Sequence, residues 1–382
     1  MIRILTLNFG GTSAKLAIYE DTVCVEDFTL DYSREETDLS CTSRQEIAIK
    51  KANVLRWLDG LGLQVSDFDA FAPRFGGMFY GGDGGTFVVE GDLLAHLDSM
   101  YTPEKPAIHA TYLTMELIHQ LMEGVDKNIP VLTTDPSTIN QFLPEARITG
   151  NPLFYKRAAF HALNQRAADR KAAERLGKRY DQVNLVVAHC GGGVSVGAHE
   201  KGRIIDVNDS SGDGDGPFSP NRAGTLPTGQ LVHLCYSGQY TERQAFKLLK
   251  GQAGLQAYLG TDDLREVERR VESGDPEATL IFRALAYQIS REIGACCATL
   301  CGRVDGIVIT AGMAYCKPLV RLIEARVGAF APVIALPGAF ENEALALGAY
   351  RVLTGQEQPA VYQGEALNMQ PAYWSGSLPW RT

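Results

Sequence analysis

Residues 183–199 read VNLVVAHCGGGVSVGAH: an apolar run, three glycines, and a second run in which apolar and small residues mix. Two strands joined by a glycine turn give this pattern, and three successive glycines weaken a sheet unless something approaches the backbone closely there. The chain opens on the same unit, IRILTLNFGGTSAKLAIYE over residues 2–20. A strand–glycine turn–strand unit that occurs twice is an internal echo, the weak repeat signal that two similar domains produce.

Outward from these hairpins, short β-rich runs alternate with longer helical patterns, the signature of α/β architecture. Helices are expected over 43–61, 109–123, 160–176 and 341–353, and strands over 68–71, 129–134, 183–188, 194–199 and 305–310. At 382 residues the chain is long enough to bury two cores. The expected division is an N-terminal domain over 1–150, completed by the C-terminal helix and tail over 345–382, and a second domain over 151–344. From Pro371 the tail is rich in aromatic residues, glycine and proline and reads as irregular.

The hydrophobic fraction of 45% and charged fraction of 21% are those of an ordinary soluble globular protein, and a net charge of −9 argues against a nucleic-acid surface. No apolar run is long enough to span a bilayer, and residues 2–7 are too short for a secretory leader, so no membrane role and a cytoplasmic location are expected. The eight cysteines include no CxxC pair. Cys296, Cys297 and Cys301 fall in an apolar helical stretch without zinc-ligand spacing, and buried free thiols are expected.

A glycine-rich turn between strands lets backbone N–H groups converge on phosphate oxygens. The first turn adds the Thr12 and Ser13 hydroxyls and the Lys15 ammonium, and the second is Gly191-Gly192-Gly193. A third, TAGMAY over 310–315, ends a buried strand, where open α/β sheets place ligands. GxxxxGK[ST] is absent, and no GxGxxG opens a helix after a strand. A nucleotide would therefore sit on hairpin turns of two opposed domains, an arrangement characteristic of the actin, hexokinase and Hsp70 group.

Longer motifs make a likeness specific. They include NFGGTSAK (8–15), TTDPSTINQF (133–142), RITGNPLFYKRAAFHALNQ (147–165), NLVVAHCGGGVSVGAHEKGRIIDVN (184–208) and GDGPFSPNRAGTLPTGQLVHLCYSGQYT (214–241). GLQAYLGTDDLREVERR (254–270), DGIVITAGMAY (305–315) and ENEALALGAYRVL (341–353) continue the set. Together these segments resemble the acetate and butyrate kinases, and the butyrate kinase branch in particular. The resemblance implies two actin-like (ribonuclease H-like) domains with ATP and Mg²⁺ in a cleft between them. It implies the reaction butanoate + ATP giving butanoyl phosphate + ADP, reversibly, and assembly as a homo-oligomer.

The resemblance also implies roles for individual residues. Asn8 and Glu343 match metal-side positions, and Thr12, Ser13 and Lys15 lie beside the phosphates. Arg74, in APRFGG, matches the arginine that meets the substrate carboxylate, and Asp135 the acidic residue nearest carboxylate and metal. His161, in FHALNQ, and Arg222, in PNRAGTLP, match the pair that stabilises the transferring phosphoryl group. His189, Gly191, Gly192 and Gly193 match a phosphate-contacting turn. Asp263, Leu264 and Arg265 match a segment against the adenosine, and Gly312, Met313 and Tyr315 another nucleotide-side segment.

The chemistry suits these residue types. A carboxylate is already an anionic nucleophile, so phosphoryl transfer to it needs no general base. What must be overcome is repulsion between two anions, and two arginines, a histidine and a metal ion are suited to that, arginine especially because it can hold a carboxylate with two parallel hydrogen bonds. Singly, each residue also has an ordinary role. His161 could cap a helix, Arg74 and Arg222 could form surface ion pairs, and Asp135 before Pro136 is a common turn opener. Asp263 could cap a helix beginning near Leu264, and Glu341 and Glu343 could favour the N-terminus of the last helix. His96, His119 and His233 stand in no motif.

Some positions depart from the family pattern. The opening loop usually reads NPGSTSTK, and here Phe9 replaces proline and Gly11 a serine. RFGG has one residue more than the usual RGG, and TAG stands where TGG is common, a change expected to be neutral. An apolar acyl pocket separates acids differing by one methylene by only about 1–3 kcal/mol, so a preference for acetate, propionate or a branched acid is a rival reading. A non-catalytic nucleotide-binding module of the same fold is a second.

Overall fold

In the computed structural model, residues 1–10, 13–31, 42–76, 82–105, 109–154, 156–211 and 214–362 are described. They form two units, one from the chain up to Asn140 together with the chain from Phe340, the other Gln141–Ala339.

In the first unit, β1 (Arg3–Phe9) and β2 (Ser13–Glu20) pair antiparallel with Asn8 opposite Lys15, and β3 (Val23–Asp31) extends the meander. After α1 (Ser43–Gly60), begun by a capping box between Thr42 and Gln45, β4 (Ala70–Pro73) runs parallel to β1. The sheet order is β3-β2-β1-β4. β1 and β4 are buried along nearly their whole length, so they read as near-continuous apolar runs rather than alternating ones. β5 (Thr86–Val88) and β6 (Leu132–Thr134) form a small antiparallel pair, separated in sequence by α2 (Gly91–Ser99) and α3 (Ala110–Met122). The last helix of the chain, α11 (Glu341–Leu353), packs against β1, β4 and β6. Gly348 allows that approach, since a Cβ there would lie 2.8 Å from both Thr86 Oγ1 and Thr134 Cγ2.

The first α-helix of the second unit is α4 (Ala162–Arg175), followed by β7 (Asn184–Cys190), β8 (Val194–Glu200) and β9 (Arg203–Val207), an antiparallel meander. Five helices follow: α5 (Thr228–Cys235), α6 (Glu242–Leu249), α7 (Gly254–Leu259), α8 (Leu264–Glu272) and α9 (Pro276–Thr299). Then come β10 (Gly306–Ala311), α10 (Lys317–Val327) and β11 (Val333–Pro337), both strands parallel to β7. The order β11-β10-β7-β8-β9 contains β9-β8-β7-β10, which repeats β3-β2-β1-β4 strand for strand. That shared topology is the physical basis of the glycine-hairpin echo in the sequence. α9 covers β7, β8 and β9, α8 and α10 pack on α9, and α4 packs against β7 and β10.

The cysteines are not all buried, contrary to expectation. All seven cysteines among the described residues are free, but Cys24, Cys235 and Cys301 are exposed, and only Cys190, Cys296, Cys297 and Cys316 are buried. Cys301 is not in the helix with Cys296 and Cys297: α9 ends at Thr299, and Cys301 turns the chain out of it with φ +54°. No described helix is long and apolar enough to cross a membrane.

Candidate active site

Each unit carries a set of the sequence-nominated residues. In the first, Asn8 is buried near the end of β1, and its Nδ2 donates to Glu341 Oε2 at 2.7 Å. Arg74 follows β4, and its backbone N–H extends the ladder to Leu7 O at 2.9 Å. Its Nε lies 3.6 Å from the other oxygen of the same carboxylate, Glu341 Oε1. One carboxylate at the start of α11 thus gathers Asn8 and Arg74, and it is Glu341 rather than Glu343. The two alternate on the helix, and Glu343 instead adds charge beside the buried Tyr19 phenol, whose pKa is raised mainly by burial. Asp135 closes β6 with φ +42°, a left-handed conformation that Asp tolerates better than most residues. Gly85 pins it: Asp135 N donates to Gly85 O at 2.9 Å and Asp135 Oδ1 accepts from Gly85 N at 2.8 Å. Ser13 is half-buried and Lys15 exposed on β2, while Thr12, Gly11 and the tail from Gln363 lie outside the described residues.

In the second unit the glycines between β7 and β8 are not there for backbone conformation, since none has a positive φ. They make room. A Cβ on Gly193 would lie 2.6 Å from Arg222 Cζ, and one on Gly191 would lie 2.9 Å from His189 Nε2. The close approach that the sequence demanded is therefore the Arg222 guanidinium laid on the turn. Arg222 Nη1 donates to the Ser210 carbonyl. Burial pushes the Arg222 pKa below the ordinary arginine value, with Asp209 opposing the shift. Its buried Nε has no hydrogen-bond partner among the described residues, a costly state for a charged donor and one that an anionic oxygen would relieve.

His161 directly precedes α4 but makes no capping bond. Its Nδ1 lies 2.9 Å from Ser195 Oγ and 3.4 Å from Ser210 Oγ, and its ring stacks on His189 at 3.8 Å and 5°. His161 and Arg222 thus converge on Ser210, one on its hydroxyl and one on its carbonyl. Beside them, Asp209 N donates to Asp215 Oδ1 at 2.6 Å, and burial raises the Asp215 carboxyl above its ordinary range.

A cavity of about 590 Å³ opens on this turn. Gly191 and Gly192 form one wall, Asp263, Leu264 and Arg265 a second, and Gly312, Met313 and Tyr315 a third. Its size is that of a small-ligand site. Asp263 holds its wall in shape: it caps α8 by accepting from Arg265 N at 2.9 Å and also takes the Arg265 side chain, which lowers its pKa. The third wall begins with strain. Ala311 adopts φ +69°, ψ −165°, a region that is essentially glycine's own. Alanine in place of the usual glycine is therefore not neutral to the backbone, contrary to expectation. Reciprocal hydrogen bonds with Gly338, at 3.0 and 3.2 Å, hold it there.

The sequence reading gave no role to Ser195, Gln165, His199, Asp169 or Ser210. Gln165, Ser195 and His199 lie inside quoted motifs, but their contacts cross between helix and strand, which spacing does not reveal.

Residues 147–326 match the family model described as the acetokinase family. Among solved structures, the chain is similar to acetate kinase from Porphyromonas gingivalis, at 18% identity and TM-score 0.73, with 94% of this chain and 100% of that one covered. It is also similar to a propionate kinase from Francisella tularensis, at 16% identity and TM-score 0.69, with 91% and 99% covered. Acetate kinase from Entamoeba histolytica matches at 13% identity and TM-score 0.69, with 91% and 98% covered. The chain therefore has the mixed α/β fold of the acetate and propionate kinases, and its residues 147–326 match the acetokinase family model.

Proposed function

We propose that the chain is an ATP-dependent carboxylate kinase that phosphorylates a short-chain fatty acid, butanoate + ATP giving butanoyl phosphate + ADP. The observation that carries this reading is the convergence of His161 and Arg222 on Ser210, behind a glycine turn that borders a nucleotide-sized cavity. A carboxylate oxygen forms a bond to the γ-phosphorus while the bond to the β,γ-bridging oxygen breaks, and ADP leaves with that electron pair. No proton need move. The Arg222 guanidinium and the His161 ring supply donors for the oxygens of the transferring group, where charge spreads in the transition state. Arg74 meets the substrate carboxylate in exchange for its 3.6 Å pairing with Glu341, and Asp135 positions rather than deprotonates.

For Mg²⁺, the described residues include no group of three His, Cys, Asp or Glu placed to hold a metal ion. The oxygen donors of Asn8 and Glu341 nevertheless suit a hard cation that keeps waters and phosphate oxygens for most of its shell. Bound there, Mg²⁺ would offset phosphate charge. Glu341 takes this role in place of Glu343, because it is the carboxylate on Asn8.

Butyrate as the preferred acid rests on the motif AHCGGGVSVGAH, and acetate, propionate or a branched acid is the alternative within the same chemistry. A homo-oligomer is part of the proposal: α5 and α6 bury none of their residues within the chain, Val232 and Phe246 are exposed on them, and Tyr236 is exposed just past the end of α5. The test is ATP- and Mg²⁺-dependent acyl phosphate formation, trapped with hydroxylamine, across straight acids from two to five carbons plus isobutyrate. An optimum at four carbons supports butyrate, and an optimum at two or three moves the substrate but keeps the chemistry. ATP binding without product from any acid would sink the kinase reading and leave a nucleotide-binding module.

A further inference from the structure

We propose that Asp169, His199, Gln165 and Ser195 form a buried hydrogen-bond chain whose direction holds His161 as the neutral tautomer with its proton on Nε2. The four are positioning residues for the transfer, an assignment that rests on the carboxylate kinase reading for its purpose but not for its geometry.

The direction of the chain follows from one group that can only accept. Gln165 Nε2 lies 3.1 Å from the Ser195 carbonyl oxygen, so the amide of Gln165 must point its NH₂ at Ser195. Its Oε1 then faces His199 Nε2 at 3.0 Å, and that nitrogen must carry a hydrogen. The other ring nitrogen, Nδ1, lies 2.6 Å from Asp169 Oδ2, and the two share one proton. His199 is 0% and Asp169 1% exposed, so no solvent enters to relax the arrangement. At the other end, Gln165 Nε2 also donates to Ser195 Oγ at 2.8 Å. The Ser195 hydroxyl must then send its own hydrogen elsewhere. Among the described residues the acceptor in reach is His161 Nδ1 at 2.9 Å. Ser210 Oγ, 3.4 Å from the same nitrogen, has the Ala159 carbonyl at 3.5 Å to donate to. With Nδ1 accepting, the His161 proton sits on Nε2.

Two further observations point the same way. The His161 and His189 rings stack at 3.8 Å, which suits two neutral imidazoles better than two cations. Gly197 sits inside β8, where glycine weakens a strand, and a Cβ there would lie 2.5 Å from Gln165 Oε1 and 3.2 Å from His199 Nε2. The glycine is what lets the Gln165–His199 hydrogen bond form.

The test is ¹⁵N NMR of the full chain labelled on its seven histidines, with His161 identified by the signals lost in His161→Asn. At neutral pH, His161 Nδ1 is expected to resonate as an unprotonated, pyridine-like nitrogen and Nε2 as a protonated one. A protonated Nδ1 in the wild type overturns the proposal with no variant needed. Ser195→Ala and Gly197→Ala are expected to yield a tautomer mixture and to lower kcat by about 10–100-fold, as loss of an orienting partner does, with KM for ATP unchanged. Unchanged His161 spectra in both variants would also overturn it. If the wild type makes no acyl phosphate from any acid yet shows the Nε2–H tautomer, the kinase reading fails and the chain of hydrogen bonds stands. Product with a protonated Nδ1 is the reverse outcome.

Discussion

Gly193→Ala separates what the glycine turn does for Arg222 from what it does for the backbone. Gly193 lies outside the left-handed region, so alanine adds no backbone strain. Its Cβ would stand 2.6 Å from Arg222 Cζ, where ordinary contact begins at 3.4 Å, so the guanidinium must retreat by 3.4 − 2.6, about 0.8 Å, or more because Nη1 is closer still. A shift of about 1 Å in a group that must meet the transition state costs on the order of 10²-fold in rate, and outright loss of a phosphoryl-stabilising arginine costs about 10³–10⁵-fold. We expect kcat to fall by at least about 10²-fold. The obstructing atoms are the end of a flexible side chain, so the stability loss is bounded by the weakened bond to Ser210, at most about 1.5–3 kcal/mol. Gly191 and Gly192 line the cavity whereas Gly193 does not, so KM for ATP stays near wild type. Steady-state hydroxamate formation with thermal melting reads all three. On an Arg222→Ala background the Gly193→Ala step should cost nothing further, since its effect passes through the arginine. A wild-type kcat, or an additive loss in the double variant, would refute the claim that the turn exists to seat Arg222.

Other outcomes follow from the same geometry. Burial pushes the Cys190 thiol from 9.0 up to about 12 and the Cys296 thiol well up too, so the folded chain favours neutral thiols. Their contribution is intact below the unfolded value of 9.0 and falls as pH rises above it, for Cys190 by about 1.4 kcal/mol per pH unit toward 12; Cys190→Ala should make the alkaline fall of Tm shallower, and an unchanged slope would count against it. Asp263→Ala removes the cap of α8 and the anchor of Arg265, so KM for ATP should rise several-fold with little change in kcat; a loss confined to kcat would put Asp263 elsewhere in the mechanism. Val232→Glu with Phe246→Glu should reduce the mass measured by light scattering to that of one chain while the folded spectrum persists, and an unaltered mass would move the subunit contact off α5 and α6.

The fold was legible where the sequence carries a period or a punctuation mark. Both glycine hairpins, the strand ending at Ala311 and helices α1, α3, α4 and α11 announce themselves that way, because apolar spacing and capping residues act locally. The nominated residues of the second unit were legible as motifs, and eight of them line one cavity. What stayed hidden is non-local. Glu341 and Glu343 look alike in ENEALALG, and only the placement of α11 beside β1 decides which reaches Asn8. Gly197 looked like one more small residue in a strand. Its reason is a glutamine from α4, thirty-two positions earlier in the chain.

Backbone strain falls at comparable places in the two units. Asp135 closes β6 at φ +42°, and Ala311 closes β10 at φ +69°. Each is held by a glycine through two hydrogen bonds, Gly85 for the first and Gly338 for the second. Such conformations cost about 1–3 kcal/mol each and persist only where the surroundings over-determine them. The carboxyl ends of strands are also where open α/β sheets receive ligands. At Asp135 the strained φ turns a carboxylate onto Gly85 and fixes its direction. At Ala311 it delivers the chain into Gly312, Met313 and Tyr315, the third wall of the cavity. Asp21, Lys201 and Cys301 also take positive φ, in turns that carry no proposed ligand group; what sets Asp135 and Ala311 apart is a glycine clamp at a strand end that carries such groups, which argues that geometry at these ends is maintained for binding rather than for stability.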